Sequence, residues 1–315
     1  EDTLTGFEKH VYDSYPRNVG YLFFSGTQTG ETITNGTYIA IKDRIGTTYP
    51  TLASDTLNVG KKVLDPKMNS TTMQFYIDIP KKVNDNQIIL QKKSSLANHL
   101  TVYLSSSNST DACNLGFSIT SGTFFLNVTS SIEKGSFKHV SAIYDKSEGH
   151  AKIIIFNTGS NKKENATIIT SSNTIEFNTL DYEGVDLNLG QGENCRIAGS
   201  IFTPQQSFSG SLDELRIFHE AKSLDSIISE KDKSLYSSND LILNFKFNEP
   251  FGSYDGNNIA IDSSTNNLSS NISNFNYLVN RQTGSNLPMS AEDKKTILKQ
   301  LKTEEIQQIY RFKIY

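Results

Sequence analysis

The chain has 315 residues, 36% of them hydrophobic and 20% charged, with a formal net charge of −4. That length suffices for two domains or one large β domain, and that charge argues against a protein that binds nucleic acid by neutralising phosphates. The lysine doublets Lys61-Lys62, Lys81-Lys82, Lys92-Lys93, Lys162-Lys163 and Lys294-Lys295 are short and scattered, as solvated lysines are, and no apolar run reaches the ~20 residues that span a bilayer.

Residues 1–70 are rich in turn residues, with two short β candidates. Tyr21-Leu22-Phe23-Phe24 is apolar and precedes a largely polar run from Ser25 to Asn35; Tyr38-Ile39-Ala40-Ile41 follows the turn signal Asn35-Gly36. The pattern fits a small β module or an edge sheet on the next domain. The start, Glu1-Asp2-Thr3, is no signal peptide. The absent initiator Met suggests a processed chain or an excerpt of a longer one.

Residues 71–236 are the clearest block. Met73, Phe75, Ile77 and Ile79 alternate on one face until Pro80. Ile88-Ile89-Leu90 follows, then the alternating sets Leu100, Val102, Leu104 and Leu115, Phe117, Ile119. Ser121-Gly122 is a turn, and Phe124, Leu126 and Val128 form the partner strand. Val140, Ala142 and Tyr144 alternate before the turn at Asp145-Lys146, and Ile153–Phe156 ends at Asn157-Thr158-Gly159. Short strands at regular spacing predict an antiparallel sandwich. Ser223 can cap a short helix whose Leu224, Ile227 and Ile228 pack back on the sandwich, expected over one open end.

In residues 237–289 the β pattern resumes. Leu241, Leu243, Phe245 and Phe247 alternate strictly, and Leu268, Ile272 and Phe275 form a returning edge. In the tail, 290–315, Ser290 can cap a helix with Asp293 near the reciprocal position; Ile297, Leu298 and Leu301 form its stripe, and Thr303 can restart a second turn that Ile306 and Ile309 continue. The fold class expected is all-β: an antiparallel β-sandwich with flanking β segments and a C-terminal helical tail.

Three stretches carry a resemblance. Phe137-Lys138-His139-Val140-Ser141-Ala142-Ile143-Tyr144-Asp145 is similar to a strand of the type W-H-H-V-A-x-x-Y-D, with Phe137 in place of the usual Trp. Ile153 to Gly159 matches the strand that ends in a glycine turn. Gly210-Ser211-Leu212-Asp213-Glu214-Leu215-Arg216-Ile217-Phe218 is similar to G-x-I-D-E-V-R-I-Y, with a short helix after it. In this order they resemble the laminin-G-like, concanavalin A-like jelly-roll family over about half the chain. Leu243–Asn267 resembles the opening of another such domain, or completes the preceding sandwich. The resemblance implies adhesins, matrix modules, glycan-binding domains or phage structural proteins. The composition, rich in Lys, Asn and Ile, suits a low-GC bacterium or its phage. The leading expectation is therefore a non-enzymatic structural or attachment component of a phage virion, in an oligomeric assembly with other virion proteins. The alternative is an extracellular or cell-surface module that binds glycans.

Candidate chemistry is sparse. In the closing motif, Gly210 marks a tight turn, and Asp213 and Glu214 would point to opposite faces of a strand, which is poor placement for a paired acid and base. The structural reading has them capping the loop and pairing with Arg216 or a backbone N–H. Phe137 can fill the core but lacks the indole donor. Calcium is the one cofactor with candidate ligands: Asp181, Glu183 and Asp186 form an acidic loop, and Glu249, Asp255 and Asp262 form a second spaced set. The five His, at 10, 99, 139, 150 and 219, form no spaced ligand motif. Glycan binding would use exposed aromatic faces, with Tyr103, Tyr144 and Tyr182 as candidates. The separation of Cys113 and Cys195 does not forbid a disulfide and cannot establish one; two free thiols are the expectation. Seven N-glycosylation triplets, at Asn35, Asn69, Asn108, Asn127, Asn165, Asn267 and Asn271, arise readily in a chain rich in Asn, Ser and Thr and carry no weight.

Overall fold

The structure, a computed structural model, describes residues 20–26, 36–42, 63–156 and 166–283, apart from 234, 236, 237 and 239. The helix expected over 290–315, the glycine turn at Asn157-Thr158-Gly159 and His10 lie outside these residues.

Two β-sheets face each other. The first holds eight strands: β10 (Ala166–Thr170), β9 (His150–Phe156), β8 (Lys138–Asp145), β3 (Thr71–Asp78), β15 (Ser209–Phe218), β1 (Gly20–Ser25) and β19 (Arg281–Thr283) in spatial order, with β16 (Leu241–Phe245) also paired to β15. The second holds nine: β17 (Ile259–Ala260), β18 (Ser270–Ser273), β2 (Tyr38–Ile41), β11 (Leu187–Leu189), β4 (Gln87–Ser95), β5 (Asn98–Ser105), β6 (Ala112–Ser121) and β7 (Phe124–Glu133), with β14 (Gln206–Ser207) beside β4. The β4–β14 pair is parallel; the other pairings among the described strands are antiparallel. A hairpin of β12 (Cys195–Ile197) and β13 (Ser200–Phe202) stands apart from both sheets.

The alternating sets meet in one core. Met73, Phe75, Ile77, Leu100, Val102, Leu104, Leu115, Phe117, Ile119, Val140, Ala142 and Tyr144 all belong to it. Burying a side chain of this size stabilises by ~1.5–3 kcal/mol. A one-residue slip would turn a whole set outward, so the pattern fixes the register. Phe124 departs from its set: it sits at the start of β7 and is exposed, while Leu126 and Val128 are buried.

Strands before and after the central block enter the same sheets. β1 lies between β15 and β19, and β2 between β11 and β18, while β16 lies against β15. The two cysteines are free and buried. Cys113 points into the main core, whereas Cys195 packs with Ile88, Tyr103 and Ile197 in a separate cluster.

Helix α1 (Leu224–Glu230) starts as the sequence predicts, with the Ser223 hydroxyl accepting from the Ser226 N–H at 3.2 Å. It does not cover an open end. Ile227 packs with Ile143 of β8 and with Ile154 and Phe156 of β9, with Leu224 and Ile228 beside it. Those residues lie on the outer face of the first sheet, which explains why β3, β8 and β15 are buried on both sides. A second helix, α2 (Tyr277–Asn280), is one turn long and capped by Asn276. Among the described residues no helix is long and apolar enough to cross a membrane.

Candidate functional site

The closing motif is a structural device. Gly210 is inside β15 rather than at a turn. A Cβ there would come within 2.6 Å of the Phe208 ring and 2.7 Å of the Asp78 carbonyl oxygen, so the position requires glycine. Pairing between β15 and β3 shifts between Asp213 and Arg216, a bulge at which Glu214 takes a left-handed φ of 48°. The bulge also separates the half of β15 that pairs with β1 from the half that pairs with β16. The alternation of opposite faces expected for Asp213 and Glu214 therefore breaks at this point. Asp213 accepts from the Glu214 N–H at 2.9 Å. Glu214 pairs with Arg216 at 2.8 Å, both at most 4% exposed. Arg216 also donates to the carbonyls of Glu230 and Lys233, at 3.0 and 2.6 Å, which fastens the C-terminal end of α1 to the sheet. Phe137 is buried outside the main core, edge-on to Tyr21 at 5.0 Å.

The three candidate tyrosines offer no ring face to a ligand. Tyr144 and Tyr182 are fully buried and Tyr103 is 3% exposed. Tyr103 lies across Gly116, where a Cβ would sit 2.1 Å from its Cζ, under Phe202 at 4.8 Å. Its hydroxyl donates to Asn127, and burial pushes its pKa up to about 12. Tyr144 accepts from the Phe177 N–H at 2.9 Å. Burial, with Asp65 and Tyr144 nearby, holds the Tyr182 phenol well above its ordinary range. Tyr144 faces the main core from β8, Tyr182 fills it from a loop, and Tyr103 packs beside the β12–β13 hairpin in the cluster of Ile88, Cys195 and Ile197; tyrosine suits packing as well as ligand contact, which is why residue type could not separate them from binding residues.

The acidic loop does not converge on a point. Asp181 accepts from the Glu183 N–H at 2.7 Å, Glu183 is exposed, and Asp186 pairs with Lys42 at 3.4 Å. The cation at this loop is the protein's own: Lys92, 2% exposed, donates to the Val185 carbonyl at 2.6 Å and lies 3.3 Å from buried Asp65. A second ammonium sits at another loop cluster. Lys134, 5% exposed, donates to the Val83 carbonyl at 2.6 Å, the Ser109 carbonyl at 2.7 Å and Asn84 Oδ1 at 3.0 Å. In the second spaced set, Glu249 pairs with Arg281 at 2.5 Å, and Asp262 caps the turn by accepting from the Asn244, Ser264 and Leu268 N–H groups. Among the described residues no three His, Cys, Asp or Glu side chains form a group that could hold a metal ion.

Apart from Phe124 at the start of β7, the exposed Phe and Tyr rings among the described residues lie on one loop. Phe251 and Tyr254 are 49% and 42% exposed, on the loop between β16 and β17. Phe251 meets Tyr277 of α2 edge-on at 5.4 Å. Buried Arg281 holds this loop through the Asn257 carbonyl at 3.2 Å, the Ile259 carbonyl at 2.7 Å and Glu249. Tyr254 donates to the Pro250 carbonyl, and Asn257 donates to Gly252, each at 2.9 Å. The signal available in sequence was two aromatics in a run of Gly, Ser, Asp and Asn, where no strand partner would bury them.

Comparison with known proteins matches this architecture. Residues 51–228 match a protein family described as the concanavalin A-like lectin/glucanases superfamily. No curated protein matches the chain in sequence. Among solved structures it is similar to a proposed carbohydrate-binding protein from Bacteroides ovatus, at 15% identity and a TM-score of 0.50. That match covers 86% of this chain and 62% of the other, so this chain spans less than two thirds of that protein's length. It is also similar to the CBM40 of the Ruminococcus gnavus IT-sialidase bound to α2,3 sialyllactose, at 12% identity and a TM-score of 0.37, covering 66% of this chain and 95% of that one. The tailspike protein 2 of bacteriophage CBA120 matches at 9% identity and a TM-score of 0.41, covering 71% and 32%. Similarity at these identities shows the fold.

Proposed function

The chain belongs to the concanavalin A-like lectin/glucanases superfamily, and from that premise we propose that it is a non-catalytic glycan-binding or adhesion module. The observation that carries the reading is the commitment of the motif acids. Asp213 and Glu214 are buried at a bulge, with Glu214 in an ion pair that anchors a helix, so neither is placed to protonate a leaving group or activate water. What the fold presents to solvent is loops on a rigid sandwich, the arrangement that suits recognition. The Bacteroides ovatus neighbour supports glycan as the ligand class. The phage tailspike likeness has too low a TM-score to support a virion role over a cellular one.

The module works without calcium in this reading, because Lys92 and Lys134 already supply positive charge to the loop carbonyls. A glycan-array screen of the folded chain, in calcium and in chelator, tests both points. Selective binding equal in the two conditions is expected. Hydrolysis of a polysaccharide by the purified protein would overturn the non-catalytic reading, and loss of binding in chelator would overturn calcium independence.

A further inference from the structure

Exposed aromatic rings on a pinned loop need an explanation. A phenylalanine half in water gives up much of the stabilisation its burial would bring. Phe251 and Tyr254 stay exposed although Arg281 and Glu249, 2% and 7% exposed, fix the backbone on which they stand. Tyr277 props Phe251 from the side. These rings are thus held in place before any ligand arrives, which lowers the ordering cost of binding.

We infer that the shelf of Phe251, Tyr254 and Tyr277 is the surface on which this module takes a neutral sugar ring. The inference rests on the glycan-binding reading and names its site. A pyranose has one face of C–H groups and a rim of hydroxyls. Phe251 and Tyr254 offer exposed aromatic surface for the first, and exposed Ser253 and Asp255 on the same loop serve the second. Charge decides the kind of sugar. In the loop from Glu249 to Ile261 and in α2 the sequence holds no Lys or Arg. Arg281, the cation at the base of the shelf, is buried against Glu249 and two carbonyls. Asp255 is left as the exposed charge, and it repels carboxylated or sulfated sugars.

The test uses the whole chain. Wild type is screened on neutral, sialylated and sulfated glycans, and the best neutral ligand is then titrated by calorimetry against Phe251→Ala, Tyr254→Ala and Phe251→Tyr. Binding to neutral glycans is expected, about tenfold weaker for each alanine variant. Phe251→Tyr, which keeps the ring, is expected to bind as wild type does, and all three variants are expected to keep the wild-type melting temperature. Neutral glycan binding unchanged in both alanine variants would overturn the shelf and leave the glycan reading standing. Binding restricted to anionic glycans would overturn the neutral preference. Wild type that binds no glycan would overturn the reading and the site together. Self-association abolished by Phe251→Ala, without glycan binding, would identify the shelf as a protein interface and overturn the inference.

Discussion

Replacing Arg216 tests the role assigned to the closing motif. Its guanidinium is 1% exposed and makes three bonds: to Glu214 at 2.8 Å, to the Glu230 carbonyl at 3.0 Å and to the Lys233 carbonyl at 2.6 Å. Arg216→Met keeps most of the packing volume but leaves the Glu214 carboxylate buried without its partner. Removing one member of a buried pair costs ~3–5 kcal/mol, a large part of the 5–15 kcal/mol that typically separates folded from unfolded domains. Glu214→Gly acts in two opposed ways. It strands Arg216, but it relieves a left-handed residue, worth ~1–2 kcal/mol. The double variant leaves no unpaired charge, so its loss should fall short of the sum of the two single losses by at least ~1.5 kcal/mol. Urea unfolding followed by circular dichroism and tyrosine emission, in a protein with 14 Tyr and no Trp, gives all three values. A loss below ~1 kcal/mol for Arg216→Met, or single losses that simply add, would show that the pair does not hold α1 to the sheet.

Three further outcomes are expected. Gly116→Ala should destabilise by ~1–3 kcal/mol, because the new methyl forces Tyr103 off the sheet; equal melting temperatures for variant and wild type would refute that contact. Acid should destabilise the fold through its buried histidines. Burial, with Lys231 and Arg216 nearby, holds His139 well below 6.5, and burial holds His219 at about 4. The unfolded chain then takes up protons first, so this stability is complete above pH 6.5 and is lost as pH falls toward 4. His139→Phe, which keeps the contacts with Tyr76 and Phe156, should flatten the melting-temperature profile over that window, and an unchanged slope would exclude His139 as a source. Lys134→Met should lower stability by ~2–4 kcal/mol as three carbonyl-type acceptors lose their donor, with chelator shifting neither protein's melting temperature; a chelator-sensitive wild type would mean that a metal does this work.

The sandwich was legible because its strands obey a two-residue period. Met73–Ile79, Leu100–Leu104 and Leu115–Ile119 each put one side chain in two into a core that repays any other register with lost burial. Positions that break the period were misread. Gly210 looks like a turn residue but is required by the ring of Phe208 and a backbone oxygen, a contact that only the assembled sheet creates. Helix α1 was visible in Ser223, Leu224, Ile227 and Ile228, yet its resting place depended on Ile143 and Ile154, whose outward side chains read as ordinary strand residues. The site was less legible than the fold. Tyr103, Tyr144 and Tyr182 are suited both to a strand core and to a ligand, and burial alone distinguishes the two. Phe251 and Tyr254 lie in a stretch without periodicity, where sequence carries little information about exposure.

Four buried cations share one task, and together they explain how a β protein can keep irregular loops in fixed positions. Lys92 reaches Val185, Lys134 reaches Val83 and Ser109, Arg216 reaches Glu230 and Lys233, and Arg281 reaches Asn257 and Ile259, in each case at a backbone carbonyl. A loop laid against a sheet carries acceptors that no ladder satisfies, and leaving them buried without donors is costly. Lys92 satisfies one and each of the other three satisfies two at once, through charge-assisted bonds. The partner is backbone, so the bond does not depend on which side chains the loop carries. Loop sequences can therefore change while loop positions stay fixed, which is the separation of scaffold from specificity that a recognition module requires. In the loop held by Arg281 that freedom has placed two aromatic rings in solvent, which is where the proposed sugar site lies.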